Sequence, residues 1–368
     1  MKKKLIIFTE EKVGEGHYQA AKAIEAVIKE KFSNQFTTKI FSGMSSVHKL
    51  IEACVVPLYF FMIHYCPWLW KWMYGKNKKS SFFQKYVFAL KLNKLMEEEQ
   101  PDYIVCTHVA CVPALNEIKK KGKLFFKLIV VFTDYGFHPS FIQENIDYYF
   151  VAHQKVKNTL VKEYQVNSNQ IFDFGIPLRP EFDRPIASIH ENVILMKDKK
   201  KFHLLILGGA TGHGPIERII HLFHPLLLRQ PLRITVVTGN NRRLYKRLNQ
   251  IYYPHLHVFE YVKNMEILLS QADIVITKPG GLTAAEAIAC GTPMLLINPI
   301  PGHEETNYRF LQELELALCV NDLEQIPDVI SQMYGQKEQW ENWKKWLKEQ
   351  HTEHAALRII ETISLSSP

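Results

Sequence analysis

Residues 277–307, TKPGGLTAAEAIACGTPMLLINPIPGHEETN, gather the residue types that hold a phosphorylated sugar. Pro279-Gly280-Gly281 stops the apolar run at 274–276, and the stretch 282–289 is rich in helix formers, with Gly291 where a helix stop is expected. Glycines at the mouth of a helix let backbone N–H groups close on an anion, and the aligned peptide dipoles favour negative charge there. Gly280, Gly281, Leu282 and Thr283 therefore suit a diphosphate, held by backbone and hydroxyl. Glu286, one turn on, repels phosphate but accepts hydrogen bonds from ribose hydroxyls. The plainer alternatives are Thr283 as a helix cap and Glu286 as an exposed helix charge.

A second centre lies near the start, in Val13-Gly14-Glu15-Gly16-His17-Tyr18-Gln19-Ala20-Ala21. His17 falls at the junction of loop and helix. The helix N-terminus disfavours its charged form there, leaving a neutral imidazole able to take a proton from a hydroxyl. Simple helix capping is the competing role. Glu15 either points outward or orients His17.

To converge on a ligand, such loops must follow the C-terminal ends of parallel strands. Apolar runs supply the strands, at 5–8, 103–105, 127–132 and 148–152, then at 202–207, 234–237, 256–259, 274–276 and 294–297, with a helix over 17–32. The alternation with helical patterns predicts an α/β protein with two doubly wound, Rossmann-like parallel sheets. A chain of 368 residues exceeds the about 250–300 that one core serves. The expected division is 1–185, then 200–345, with the polar stretch 197–201 as linker. In the last part, Trp340, Trp343 and Trp346 predict a helix packed on the core.

Composition narrows the partners. The net charge of +8 favours an anionic one, whereas no arginine-rich block or RNA-binding aromatic signature points to nucleic acid. The six scattered cysteines lack C-x-x-C pairs, which suits reduced thiols in the cytoplasm. The opening MKKKLIIF begins like a secretion signal, but Glu10 and Glu11 follow its short apolar run, so a first strand is expected.

The 277–307 segment resembles the nucleotide-sugar signature of glycosyltransferase family 28, in particular its diacylglycerol glycosyltransferases, with His303 where the family usually has Gln. The His17 loop resembles the family's G-G-G-H-x-x-A-A, with Gly16 kept and Glu15 in place of the middle glycine. Gly208-Gly209-Ala210-Thr211-Gly212 resembles its G-G-S-x-G turn, with Thr211 able to supply the lost hydroxyl. Thr238-Gly239-Asn240-Asn241 and Tyr261-Val262 resemble further donor-site segments, and Thr133-Asp134-Tyr135-Gly136-Phe137-His138 resembles T-D-[YF]-x-x-H.

The resemblance implies a GT-B fold, its two domains facing across a cleft and 346–368 returning to the first domain. It implies catalysis by His17 with Asp134 or His138 orienting it or lining the acceptor site. It implies a donor site including Gly209, Thr211, Asn240, Tyr261 and Val262, with His303, Glu304 and Asn307 at the sugar hydroxyls. UDP-glucose or UDP-galactose would be the donor and a diacylglycerol-type lipid the acceptor. Neither cofactor nor metal is implied, and the chain has no D-x-D triplet to hold one.

Residues 53–70, ACVVPLYFFMIHYCPWLW, carry no Asp, Glu, Lys or Arg and just reach the length of a membrane span. A single span would put the strands at 5–8 and 103–105 on opposite sides of the membrane. With Lys71, Lys76, Lys78, Lys79 and Lys85 beside Trp68, Trp70, Trp72 and Tyr74, the segment 50–85 reads instead as an interfacial contact with an anionic membrane surface. A core helix is the alternative. The expected location is peripheral, on the inner face of the cell membrane. Competing functions are transfer of N-acetylglucosamine to a lipid-linked peptidoglycan precursor, sugar-nucleotide epimerisation and non-catalytic sensing of UDP-sugar.

Overall fold

A computed structural model describes residues 2–12, 14–47, 49–76, 83–184, 201–209, 212, 214–223, 231–253, 255–300 and 302–366; at 49–52, 64, 73–76, 83–84, 303 and 337 it describes the backbone alone. The stretch 185–200, where the sequence places its domain boundary, lies outside the described residues. The chain forms two compact units. The first comprises Met1–Pro180, Ile300–Thr306 and Glu353–Pro368, the second Glu181–Pro299 and Asn307–Thr352.

In the first unit, strands β1 (Lys3–Thr9), β2 (Phe36–Ser42), β3 (Tyr103–Cys106), β4 (Lys127–Val131), β5 (Tyr148–Phe150) and β6 (Ile171–Phe172) pair in the order β2-β1-β3-β4-β5-β6, every pairing parallel. Ile7 lies opposite Val105 and Val105 opposite Ile129, so β1, β3 and β4 end side by side. The helices are α1 (Glu15–Lys31), α2 (Gly43–Val47), α3 (Lys49–Tyr65), α4 (Pro67–Lys76), α5 (Phe88–Glu99), α6 (Val112–Lys120) and α7 (Gln154–Tyr164). Helix α1 forms where Ala20, Ala21, Ile24, Val27 and Ile28 recur at helical spacing, and that stripe is its buried face. Glu10, fully buried just past β1, accepts the Met44 N–H at 2.5 Å and the Ser42 hydroxyl at 3.1 Å, which ties α2 to the sheet.

The 53–70 segment is broken at Cys66-Pro67 into α3 and α4, which pack through Tyr59 against Trp70, ring centroids 5.1 Å apart. No described helix is long and apolar enough to cross a membrane. Val55, Leu58, Phe61 and Tyr65 recur on α3 at spacings of three or four and are exposed, as are Trp68 and Trp72 on α4. Among the flanking lysines, Lys71 pairs with Glu305 and Lys85 with Glu117. Lys78 and Lys79 lie outside the described residues.

The second unit repeats the plan with β7 (Phe202–Leu207), β8 (Leu232–Val237), β9 (Leu256–Phe259), β10 (Ile274–Thr277), β11 (Met294–Leu296) and β12 (Leu318–Cys319), parallel throughout in the order β12-β11-β10-β7-β8-β9. Its helices are α8 (Ile216–Leu222), α9 (Arg242–Leu248), α10 (Met265–Gln271), α11 (Gly281–Cys290), α12 (His303–Glu313), α13 (Ile326–Gly335) and α14 (Lys337–Glu349), the first turn of α12 grouping with the first unit. Strands β7 and β8 are buried almost end to end, as parallel strands covered on both faces must be. Trp340 of α14 packs on this core, and the Trp343 indole donates to the Glu315 carbonyl at 3.2 Å. All six cysteines are free thiols.

The last helix, α15 (Ala355–Leu365), places Ala356, Ile359, Ile360 and Ile363 in the core of the first unit beside Ile24 and Ile28 of α1. Ile360→Ala should therefore cost about 2–5 kcal/mol of that unit's stability. Leu365→Ala, at a position 88% exposed, should cost under about 0.5 kcal/mol. Urea unfolding followed by circular dichroism checks the pair; equal midpoints would remove α15 from the core.

Candidate active site

The loops after β1, β3 and β4 bring together residues far apart in sequence. His17 lies in the first turn of α1, with its backbone N–H 3.3 Å from the Gly14 carbonyl and its ring against the bare Gly14 backbone. Its Nδ1 is 2.5 Å from the hydroxyl of Thr133, just past β4. That hydroxyl donates to the Thr107 carbonyl at 3.4 Å, and the Thr107 hydroxyl donates to the His17 carbonyl at 3.0 Å. A hydroxyl has one hydrogen: with it on the Thr107 carbonyl, Thr133 accepts from Nδ1–H and a neutral imidazole has its lone pair at Nε2. Thr107 and Thr133 are buried, at 0% and 4% exposure, which shields this circuit from water.

Neither threonine was singled out by the sequence. The motif at 133–138 directed attention to Asp134, which sits half-buried beside Thr133. His138 caps the turn Pro139–Phe141 by accepting the Ser140 N–H at 3.2 Å, and burial pushes its pKa down, keeping it neutral. Glu15 accepts from the Gln19 amide at 3.1 Å, one turn along α1. His108, in no motif, packs its ring on His17 with centroids 4.7 Å apart and planes at 68°.

In the second unit, β10 runs through Lys278-Pro279 into α11, whose cap Gly280 supplies no side-chain hydrogen bond. A Cβ on Gly280 would meet nothing within 4 Å, so the backbone at this helix mouth is open to close approach. Gly281, Ala284, Ala285 and Ile288 are buried, whereas Leu282, Thr283 and Glu286 are only half-buried and share a face at spacings of three and four. Asn307 is fully buried and donates from its amide to the Pro279 carbonyl at 3.0 Å, so it braces the turn that presents Gly280.

The other glycine loop is welded to its neighbour. Gly212 has φ +60°, and a Cβ there would lie 2.1 Å from the Thr238 carbonyl oxygen, so only glycine fits. Asn241 donates to the Gly212 carbonyl at 3.1 Å and accepts the Leu244 N–H at 3.0 Å, capping α9. Asn240, the donor-site residue expected from the sequence, is exposed, as is Tyr261; Val262 is half-buried. Gly209, with φ +66°, faces open space, and Thr211 lies outside the described residues.

The segment Ile300–Thr306 groups with the first unit. Glu304, 6% exposed, accepts the Ile300 N–H at 2.7 Å and so closes its own loop. Lys71 of α4 donates to Glu305 at 2.8 Å, and a Cβ on Gly136 would sit 2.3 Å from Thr306 Cγ2. Both the α4 segment and the loop after β4 therefore hold this stretch. The His303 side chain lies outside the description.

Comparison with known proteins agrees with the sequence resemblance. The family model for monogalactosyldiacylglycerol (MGDG) synthase matches residues 17–178, and that for the glycosyltransferase family 28 C-terminal domain matches 203–358. Among curated proteins, the processive diacylglycerol beta-glucosyltransferase of Bacillus pumilus (strain SAFR-032) is 30% identical, over 98% of this chain and 94% of the relative. Among solved structures, the glycotransferase of kitacinnamycin aligns over 100% of both chains with a TM-score of 0.67 at 13% identity. Acinetobacter baumannii MurG aligns equally completely, with a TM-score of 0.65 at 12% identity. Together with the two six-stranded parallel sheets, these likenesses give the GT-B fold. The chain is a glycosyltransferase and belongs to glycosyltransferase family 28, with the diacylglycerol glycosyltransferases.

Proposed function

We propose that the chain is an inverting, metal-independent transferase that moves glucose or galactose from a UDP-sugar to diacylglycerol, or to a monoglycosyldiacylglycerol, at a membrane surface. The observation that carries the reading is the His17 ring, its Nδ1 held 2.5 Å from the Thr133 hydroxyl; a proton kept at Nδ1 makes Nε2 the acceptor. The acceptor hydroxyl gives its proton to Nε2 while its oxygen attacks the anomeric carbon, and the bond from that carbon to the UDP oxygen breaks. UDP leaves with the bonding electron pair. Backbone N–H groups at the start of α11 and the helix dipole stabilise the growing negative charge, which is the task a metal performs elsewhere. Glu286 takes the ribose hydroxyls.

The lipid acceptor is supported by the Bacillus pumilus relative, a processive diacylglycerol beta-glucosyltransferase. Action at a membrane is supported by the exposed apolar stripe of α3 and by Trp68 and Trp72 on α4, in a protein of net charge +8. An amphipathic surface of this kind fits peripheral attachment on the cytoplasmic face.

The reading predicts that purified protein, given dioleoylglycerol in mixed micelles and either UDP-glucose or UDP-galactose, forms glycolipid detectable by mass spectrometry. EDTA should change the rate by less than about twofold. His17→Ala should bind UDP normally yet lose roughly 10²–10⁴-fold in transfer, the range for removal of a general base. Donor binding without turnover on any lipid would sink the reading, and undiminished turnover by His17→Ala would remove the base.

The membrane contact is tested by flotation with vesicles of phosphatidylcholine and anionic phosphatidylglycerol. Replacing the exposed Trp68 and Trp72 together by Ser should lower the floating fraction severalfold, since each large aromatic contributes about 2 kcal/mol when buried from water. Unchanged flotation would place the contact elsewhere.

A further inference from the structure

His108 takes part in none of the steps above, yet its ring lies against that of the base, centroids 4.7 Å apart. Its placement is fixed from two sides. The preceding residue, Thr107, holds the His17 carbonyl through its hydroxyl at 3.0 Å and accepts from Thr133 through its own carbonyl at 3.4 Å. His108 itself caps the turn Val109–Cys111, its Nδ1 accepting the Ala110 N–H at 3.3 Å.

A ring nitrogen that accepts carries no hydrogen, so the neutral His108 ring bears its proton at Nε2 and donates there. His17 has the opposite assignment, donating from Nδ1 and accepting at Nε2. The two half-buried rings thus differ in what they offer from the same ring position: one takes a hydrogen bond and the other gives one. Resting on the assignment of His17 as base, we propose that His108 is an acceptor-binding residue and that the pair selects alcohols carrying an oxygen on the adjacent carbon. His17 Nε2 receives the proton of the attacking hydroxyl, and His108 Nε2–H donates to the neighbouring oxygen.

Ring centroids 4.7 Å apart are close enough for two vicinal oxygens to bridge the pair, each through a hydrogen bond of about 2.8 Å. In diacylglycerol the neighbouring oxygen is the ester oxygen of the central carbon. In a monoglycosyl acceptor it is the next ring hydroxyl. One recognition element therefore serves both acceptors.

The test compares dioleoylglycerol with the monooleate of 1,3-propanediol, which has the hydroxyl but no central oxygen, in the same mixed micelles. Wild type should favour dioleoylglycerol in kcat/KM by roughly tenfold or more, the size of one good hydrogen bond. In His108→Asn the amide oxygen replaces Nδ1 and keeps the cap but cannot reach as a donor, so the preference should fall to near unity with the UDP-sugar KM unchanged. His108→Gln sets an N–H near the Nε2 position and should restore part of the preference. Full preference retained in His108→Asn, or no preference in wild type, would overturn the role of His108. Wild type inert on both alcohols would overturn the His17 reading and this inference together, whereas an inactive His17→Ala beside a fully selective His108→Asn would overturn this inference alone.

Discussion

The hydrogen-bond circuit that joins His17, Thr133 and Thr107 is the constraint on which the proposed acceptor side of this molecule depends. It works because parallel pairing sets β1, β3 and β4 shoulder to shoulder, so that loops separated by about a hundred residues end within hydrogen-bonding range of one another. Each bond in it is modest in isolation. Buried and closed on itself, the circuit fixes the position of the imidazole and, in the proposed mechanism, favours its proton at Nδ1. Helix α1 adds the electrostatic half, since its N-terminus opposes an imidazolium in the first turn.

The proposed donor side relies on glycine instead of on side-chain chemistry. At Gly280 the missing Cβ leaves the helix mouth open, and Asn307 steadies that turn from beneath through Pro279. At Gly212 the missing Cβ lets two loops fuse. Backbone N–H groups held this way cost no reorganisation when charge develops, which is how preorganised dipoles lower a barrier. The stretch Ile300–Thr306 is held differently, by a close contact at Gly136 and the ion pair from Lys71. The pair's lysine belongs to the α4 segment that also carries the exposed tryptophans.

Much of this was legible before any coordinates. The buried strands announced themselves as apolar runs, because parallel strands are covered on both faces. The short edge strands β6 and β12 and the alternating β2, with Lys39 half way along it, left no such run and were missed. The glycine loops and His17 were visible as motifs with a chemical reason. Thr107 and His108 lie in no motif, and Thr133 opens one that points to Asp134 and His138, since the importance of all three comes from pairings across the sheet that no local spacing encodes. Asn240 and Asn241 illustrate the same limit: the donor-site expectation falls on Asn240, but the fold shows that Asn241 locks Gly212 while Asn240 is exposed.

The central claim is that the resting enzyme holds His17 as the neutral tautomer protonated at Nδ1, with Nε2 the acceptor. Nitrogen-15 NMR of histidine-labelled protein, with the His17 signals assigned by their loss in a substituted variant, reads that state directly. At neutral pH the account predicts an Nδ1–H tautomer for His17, and conversion toward a mixed tautomer in Thr133→Val. A His17 that is protonated at Nε2, or an imidazolium at neutral pH, would contradict it.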